Sequence, residues 1–103
     1  MAQFTFNANF DTDRGTYDFT IKTLDGSNAF TDVDGNPIDY AQLLNQVGSN
    51  TWTMDLASGG YQIFLVVVTN VNFDFSVAGP VISISPTPAT INSSTTQIYT
   101  LKV

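Results

Sequence analysis

The sequence predicts a mainly β protein: an antiparallel, two-layer β-sandwich of seven or eight short strands with one short helix. Three observations carry that expectation. Tyr61 to Val68 is a nearly unbroken apolar run, rich in β-branched and aromatic residues and too short to span a membrane, which reads as a central strand. The segments around it alternate apolar and polar residues with period two and are separated by Gly, Asn, Asp and Pro. The nine acidic residues are all aspartate, with no glutamate and only three cations, a composition suited to turns and ill suited to exposed helices.

In chain order, Gln3 to Phe10 places Phe4, Phe6, Ala8 and Phe10 on one face. Asp11 to Thr16 is a turn cluster, after which Tyr17, Phe19 and Ile21 alternate with Asp18, Thr20 and Lys22. These two segments are expected to pair as an antiparallel hairpin with their aromatic faces on the same side. Leu24 to Asn28 is a second turn, and Ala29 to Thr31 a short strand.

The helix is expected over about 37–47. Asn36 suits its N-cap, Pro37 its first position and Asp39 its third, where a carboxylate faces the positive helix end. Tyr40, Leu43, Leu44 and Val47 then recur at i, i+3, i+4 and i+7, and Gly48 stands where the helix would stop.

Beyond Ser49-Asn50, Trp52, Met54 and Leu56 alternate with Thr51, Thr53 and Asp55. The apolar run follows, with Tyr61, Ile63, Leu65 and Val67 on one face and Phe64, Val66 and Val68 on the other; both faces are expected to be covered. Thr69-Asn70 is a turn, Val71 to Val77 another alternating strand, Val81 to Ser85 a short one, and Gln97 to Val103 closes the domain with Tyr99, Leu101 and Val103 inward. No repeat or linker interrupts residues 1–103, which read as one domain burying roughly two-thirds of its unfolded surface. A closed barrel is the alternative to the sandwich.

Two stretches resemble the immunoglobulin-like β-sandwich modules of bacterial surface and secreted proteins. Asp55-Leu56-Ala57-Ser58-Gly59-Gly60-Tyr61 is similar to the corner in which a tyrosine at the start of a core strand reaches back to a nearby backbone group. Asp34-Gly35-Asn36-Pro37-Ile38 is similar to an Asp-rich turn of such repeats, although a strand follows it there and a helix is expected here. The resemblance implies an adhesive, spacer or carbohydrate-binding role.

Composition narrows the chemistry. Without histidine or cysteine the usual general base, the thiol nucleophile and thiolate metal sites are missing, so no catalytic residue is assigned. A carboxylate pair, Asp32 with Asp34 or Asp11 with Asp13, is the one hydrolytic arrangement available. The formal charge of −6 repels phosphate backbones, which argues against nucleic-acid partners.

Calcium is the sharper possibility. Asp32, Asp34 and Asn36 with Gly35 supply alternating oxygen ligands around a glycine turn; Asp39, and Asp11 and Asp13 from a neighbouring loop, would complete the set, while plain turn and cap roles account for the same residues. Trp52 with the tyrosines would make a sugar-stacking platform, yet its phase with Met54 and Leu56 places it inward. Asn92-Ser93-Ser94 matches an N-glycosylation acceptor.

The polar strand faces carry few lysines, so edge strands, Thr95 to Val103 among them, are open to pairing in a homo-oligomer or filament. The expected function is therefore a non-enzymatic interaction or structural module with a protein or carbohydrate partner. A calcium-dependent carbohydrate-binding module is the alternative. Met1 to Phe6 lacks the basic-then-apolar pattern of a signal peptide, and an extracytoplasmic place or one in a surface or particle assembly is expected.

Overall fold

The computed structural model describes residues 2–10, 15–24, 30–31, 34, 36–38 and 40–103. Its elements are β1 (Ala2–Phe10), β2 (Thr16–Thr23), β3 (Phe30–Thr31), β4 (Pro37–Ile38), α1 (Tyr40–Leu43), β5 (Asn45–Gly48), β6 (Thr51–Leu56), β7 (Gly60–Val68), β8 (Phe73–Ala78), β9 (Ser83–Ser85) and β10 (Thr95–Lys102). Eight strands form two antiparallel four-stranded sheets, ordered β5-β6-β1-β8 and β2-β7-β10-β9, and β3 pairs with β4 apart from them. The expected two-layer β-sandwich is what these residues build.

The core is the set of positions that period-two alternation points inward. Phe4, Phe6 and Ala8 of β1, Met54 and Leu56 of β6, and Phe73 and Phe75 of β8 face Phe19 and Ile21 of β2, Ile63 and Leu65 of β7, and Tyr99 and Leu101 of β10, all buried. Aromatic contacts join the layers: Phe6 meets Phe19 at 5.8 Å between ring centroids, and Phe75 meets Tyr99 at 5.7 Å. Such pairs add about 1 kcal/mol each beyond the area they bury.

β1 and β2 do not form a hairpin. β1 lies between β6 and β8 in one sheet while β2 pairs with β7 in the other, so the two strands face each other across the core, with Phe10 and Tyr17 6.1 Å apart. Alternation fixes which side of a strand points inward and leaves its hydrogen-bonded neighbour open; an aromatic face is buried equally well by the opposite layer. The chain likewise changes layers between β6 and β7, β7 and β8, and β8 and β9.

The helix is much shorter than expected, only Tyr40–Leu43. Pro37–Ile38 pairs with Phe30–Thr31, so Asn36 caps no helix, and Asn45–Gly48 runs extended against β6 with a register shift between Gln46 and Gly48. Tyr40, Leu43 and Leu44 pack on the core, whereas Val47, the fourth member of the stripe, is 62% exposed. A ten-residue helix is marginal in water, and the unpaired backbone edge of β6 offers hydrogen bonds that extended chain can satisfy.

β7 departs from expectation on one face, and β10 over part of its length. Tyr61, Ile63, Leu65 and Val67 of β7 are buried, but on its other face Val66 is 45% and Val68 57% exposed. Among the described residues the two layers take up all the long strands, and no third layer covers this face. β10 is covered by β9 only over Thr100–Lys102, so Thr95–Tyr99 keeps the expected edge; among the described residues the other edges are β5 and β8 in one sheet and β2 and β9 in the other.

Tyr61 at the start of β7 reaches back to the backbone just before it. Tyr61 donates its hydroxyl to the Ala57 carbonyl at 2.8 Å, and Gly59 and Val103 exchange backbone hydrogen bonds of 3.0 Å. The Thr69 turn forms too: its Oγ1 accepts from the Val71 N–H at 3.0 Å and donates to the Val71 carbonyl at 2.8 Å.

Candidate functional site

The outward positions of β2, β7 and β10 make one continuous surface. Register places Phe64 between Thr20 and Ile98, and Val66 between Asp18 and Thr96, while Val68 lies beside Thr16 and Gln62 lies between Lys22 and Thr100. Val66, Val68 and Ile98 are all exposed. Phe64 is half-buried, with the Lys22 Nζ 5.2 Å from its ring centroid, close enough for a cation–π attraction.

The other sheet supplies a comparison within the molecule. Outward positions on β1, β6 and β8 include Thr5, Asn7, Thr53, Asp55, Asp74 and Ser76, which is an ordinary solvated face. Single exposed apolar residues are unremarkable on any protein surface, but three exposed ones around the half-buried Phe64, on a strand and its neighbour, form a patch of the kind that marks interaction surfaces.

A second feature lies beside β2, the outer strand of its sheet. A cleft of about 420 Å³ is lined by Tyr17, Asp18, Tyr40, Leu44, Asn50 and Trp52, among others. Trp52 donates its Nε1–H to the Tyr17 hydroxyl at 3.3 Å, and Tyr40 donates its hydroxyl to the Phe19 carbonyl at 3.3 Å. The Trp52 ring meets Phe19 edge-on at 6.1 Å. Trp52 is thus neither fully in the core nor free on the surface: one side leans on Phe19 and another faces the cleft. A hollow of about 300 Å³ adjoins it at Phe10, Gly15 and Asn50.

Of the residues proposed for calcium, Asp34 and Asn36 are described, both exposed, in the stretch between β3 and β4. Asp11, Asp13, Asp32 and Asp39 lie outside the described residues, and so do the carboxylate pairs except for Asp34. Among the described residues no group of three or more His, Cys, Asp or Glu comes together to hold a metal ion. Also among them, no helix is long and apolar enough to cross a membrane.

Perturbed acid–base groups lie in the scaffold instead. Burial pushes the phenols of Tyr61 and Tyr99 above their ordinary values. Both belong to the core and neither lines the cleft.

The sequence shows this face as apolar through Phe64, Val66 and Val68, and the run alone predicts a covered surface. The signal against cover sits on the flanking strands, where Asp18, Thr20, Lys22, Thr96 and Thr100 occupy the same face. No protein-family model, curated protein or solved structure matches this chain.

Proposed function

We propose that the chain is a non-enzymatic interaction or structural module that docks through the outer face of β2, β7 and β10. The observation that carries the reading is the contiguous apolar set Phe64, Val66, Val68 and Ile98 on a sheet whose inner face already completes the core. Burying such residues against a partner contributes about 25 cal/mol for each Å² of apolar surface removed from water. Leaving them exposed forgoes that gain. The sequence supports the non-enzymatic part, since it has no histidine to serve as general base and no cysteine thiol.

The test is a Val66→Lys/Val68→Lys double variant. Its urea unfolding midpoint is expected to match the parent, while enhancement of the fluorescence of the apolar dye anilinonaphthalene sulfonate falls several-fold. A large drop in the midpoint would make the face part of the scaffold and overturn the reading.

A second reading is carbohydrate binding, favoured by the cleft in which Tyr17, Tyr40 and Trp52 stand beside Asp18 and Asn50. Its volume falls within the range of small-ligand sites, about 300–1,000 Å³. Aromatic faces pack against the C–H faces of sugars while carboxylate and amide groups bond to hydroxyls. Trp52 is the chain's one tryptophan, so its emission reports on the cleft directly. Cello- and chito-oligosaccharides are expected to shift that emission saturably, with or without calcium; the absence of any shift counts against this second reading.

A further inference from the structure

We infer that the partner for the outer face is a second copy of this chain. The two copies stack sheet on sheet about a two-fold axis that lies in the interface and crosses the strands along the row Thr20, Phe64, Ile98. The inference rests on the docking role proposed above and specifies its occupant.

The arrangement follows from register. Phe64 pairs with Thr20 on one side and Ile98 on the other, so the three share one row across the sheet. On β2, Asp18 stands two residues to one side of that row and Lys22 two residues to the other. At about 3.3 Å per residue, each is roughly 7 Å from it. Rotation by 180° about an in-plane axis along the row exchanges the two ends of every strand. Asp18 then meets the partner's Lys22, Lys22 meets the partner's Asp18, Phe64 and Ile98 meet their own counterparts on the axis, and Val66 and Val68 lie against the partner's Gln62 and Gly60. Self-complementarity of this kind is what a two-fold interface requires.

A competing axis runs along β7 and lays Phe64, Val66 and Val68 on their own counterparts, but it pairs no charges. An axis along β7 exchanges β2 with β10 and sets Asp18 against Thr96 and Lys22 against Thr100, so neither charge finds a partner.

Net charge also points to this face. The chain carries −6 overall, and self-association through most of its surface brings like charges together. The charged residues on the outward positions of this sheet are Asp18, Lys22 and Lys102, which makes it locally cationic by one charge and gathers two of the three cations in the sequence. Lys22 lies over Phe64 in the single copy. Its aliphatic stem can stay on the ring while the ammonium reaches the partner's Asp18.

Size sets the strength. β2, β7 and β10 span eight, nine and eight residues. Three such strands cover on the order of 14 by 26 Å, or about 400 Å² per copy. That is below the standard interface size, so the dimer is expected to be weak and reversible, with a dissociation constant on the order of 100 μM. Aligned stacking of twisted sheets accommodates the approach.

The experiment is sedimentation equilibrium of the full chain from about 10 μM to about 1 mM, a range that brackets the expected constant. The parent is expected to pass from monomer to dimer. Asp18→Lys and Lys22→Asp, each of which sets like charges opposite one another, are expected to weaken the dimer at least ten-fold. The double exchange Asp18→Lys/Lys22→Asp restores the pairing and is expected to return the constant to within about three-fold of the parent, a rescue that general surface charge cannot produce. Val66→Ser, at an exposed position, provides a separate disruption should either charge variant fold poorly. A chain that stays monomeric throughout, or a double exchange no better than the single ones, overturns the inference. If the Val66→Lys/Val68→Lys variant has meanwhile kept its stability and lost dye binding, the docking role stands with a foreign partner; if that variant is strongly destabilised, the docking role itself has failed.

Discussion

Single residues in this fold divide by the side of the strand they occupy. Phe6 is fully buried and touches both Phe19 and Phe75, so Phe6→Ala is expected to cost about 3–5 kcal/mol, read from chemical denaturation. Tyr61→Phe keeps the ring and loses the bond to the Ala57 carbonyl, for an expected loss of about 1 kcal/mol. The same tyrosine sets an alkaline limit. Burial raises the Tyr61 and Tyr99 phenols, so above their unfolded value of about 10 the unfolded chain releases protons that the fold still holds. This contribution is complete below about pH 10 and is lost as pH rises beyond it. Denaturation curves across that interval should show a shallower decline in Tyr61→Phe, and an identical decline would deny the phenol this role.

At the scale of elements, the sequence located strands well and their neighbours poorly. The alternations in β1, β2, β6, β8 and β10 have the inward faces expected of them, because burial imposes period two on any strand with one covered side. Pairing partners depend on long-range packing, and so β1 and β2, which look like a hairpin, stand in opposite layers. The stripe Tyr40, Leu43, Leu44 and Val47 has helical spacing, yet only Tyr40–Leu43 is helical and Asn45–Gly48 pairs with β6. Pairing with β6 decided it, a choice made by tertiary structure and invisible in local spacing. Turn glycines are more local. Gly79 has φ of +136°, and a Cβ there would stand 2.7 Å from Phe4 Cδ1, whereas Gly59 has φ of +152° with nothing nearby. Gly79→Ala is expected to lose about 2–3 kcal/mol and Gly59→Ala nearer 1 kcal/mol, since the first adds a clash to backbone strain. Equal losses in denaturation would mean the Phe4 ring gives way freely.

For the whole molecule, composition fixed the class of fold, and the candidate site was legible only in part. The Asp-x-Asp-Gly spacing matches the opening of a calcium loop, yet the same residues suit turns. The face that carries the proposed function is spread over three strands, and Thr20, Phe64 and Ile98 come together only once register is known. Trp52 behaved similarly, with the phase of a core residue and a place on a cleft wall.

The account stands on the contrast between the two faces of β7, and adjacent residues test it. Leu65 is completely buried while Val66 is 45% exposed. The measurement is the unfolding free energy of Leu65→Lys and Val66→Lys in urea. The account predicts that Val66→Lys stays within about 0.5 kcal/mol of the parent, as at other open surface positions. Leu65→Lys, which forces a charge into the core, is expected to lose several kcal/mol or fail to fold. Comparable losses at the two positions would contradict the account, because the outer face would then be scaffold rather than a surface held open for a partner.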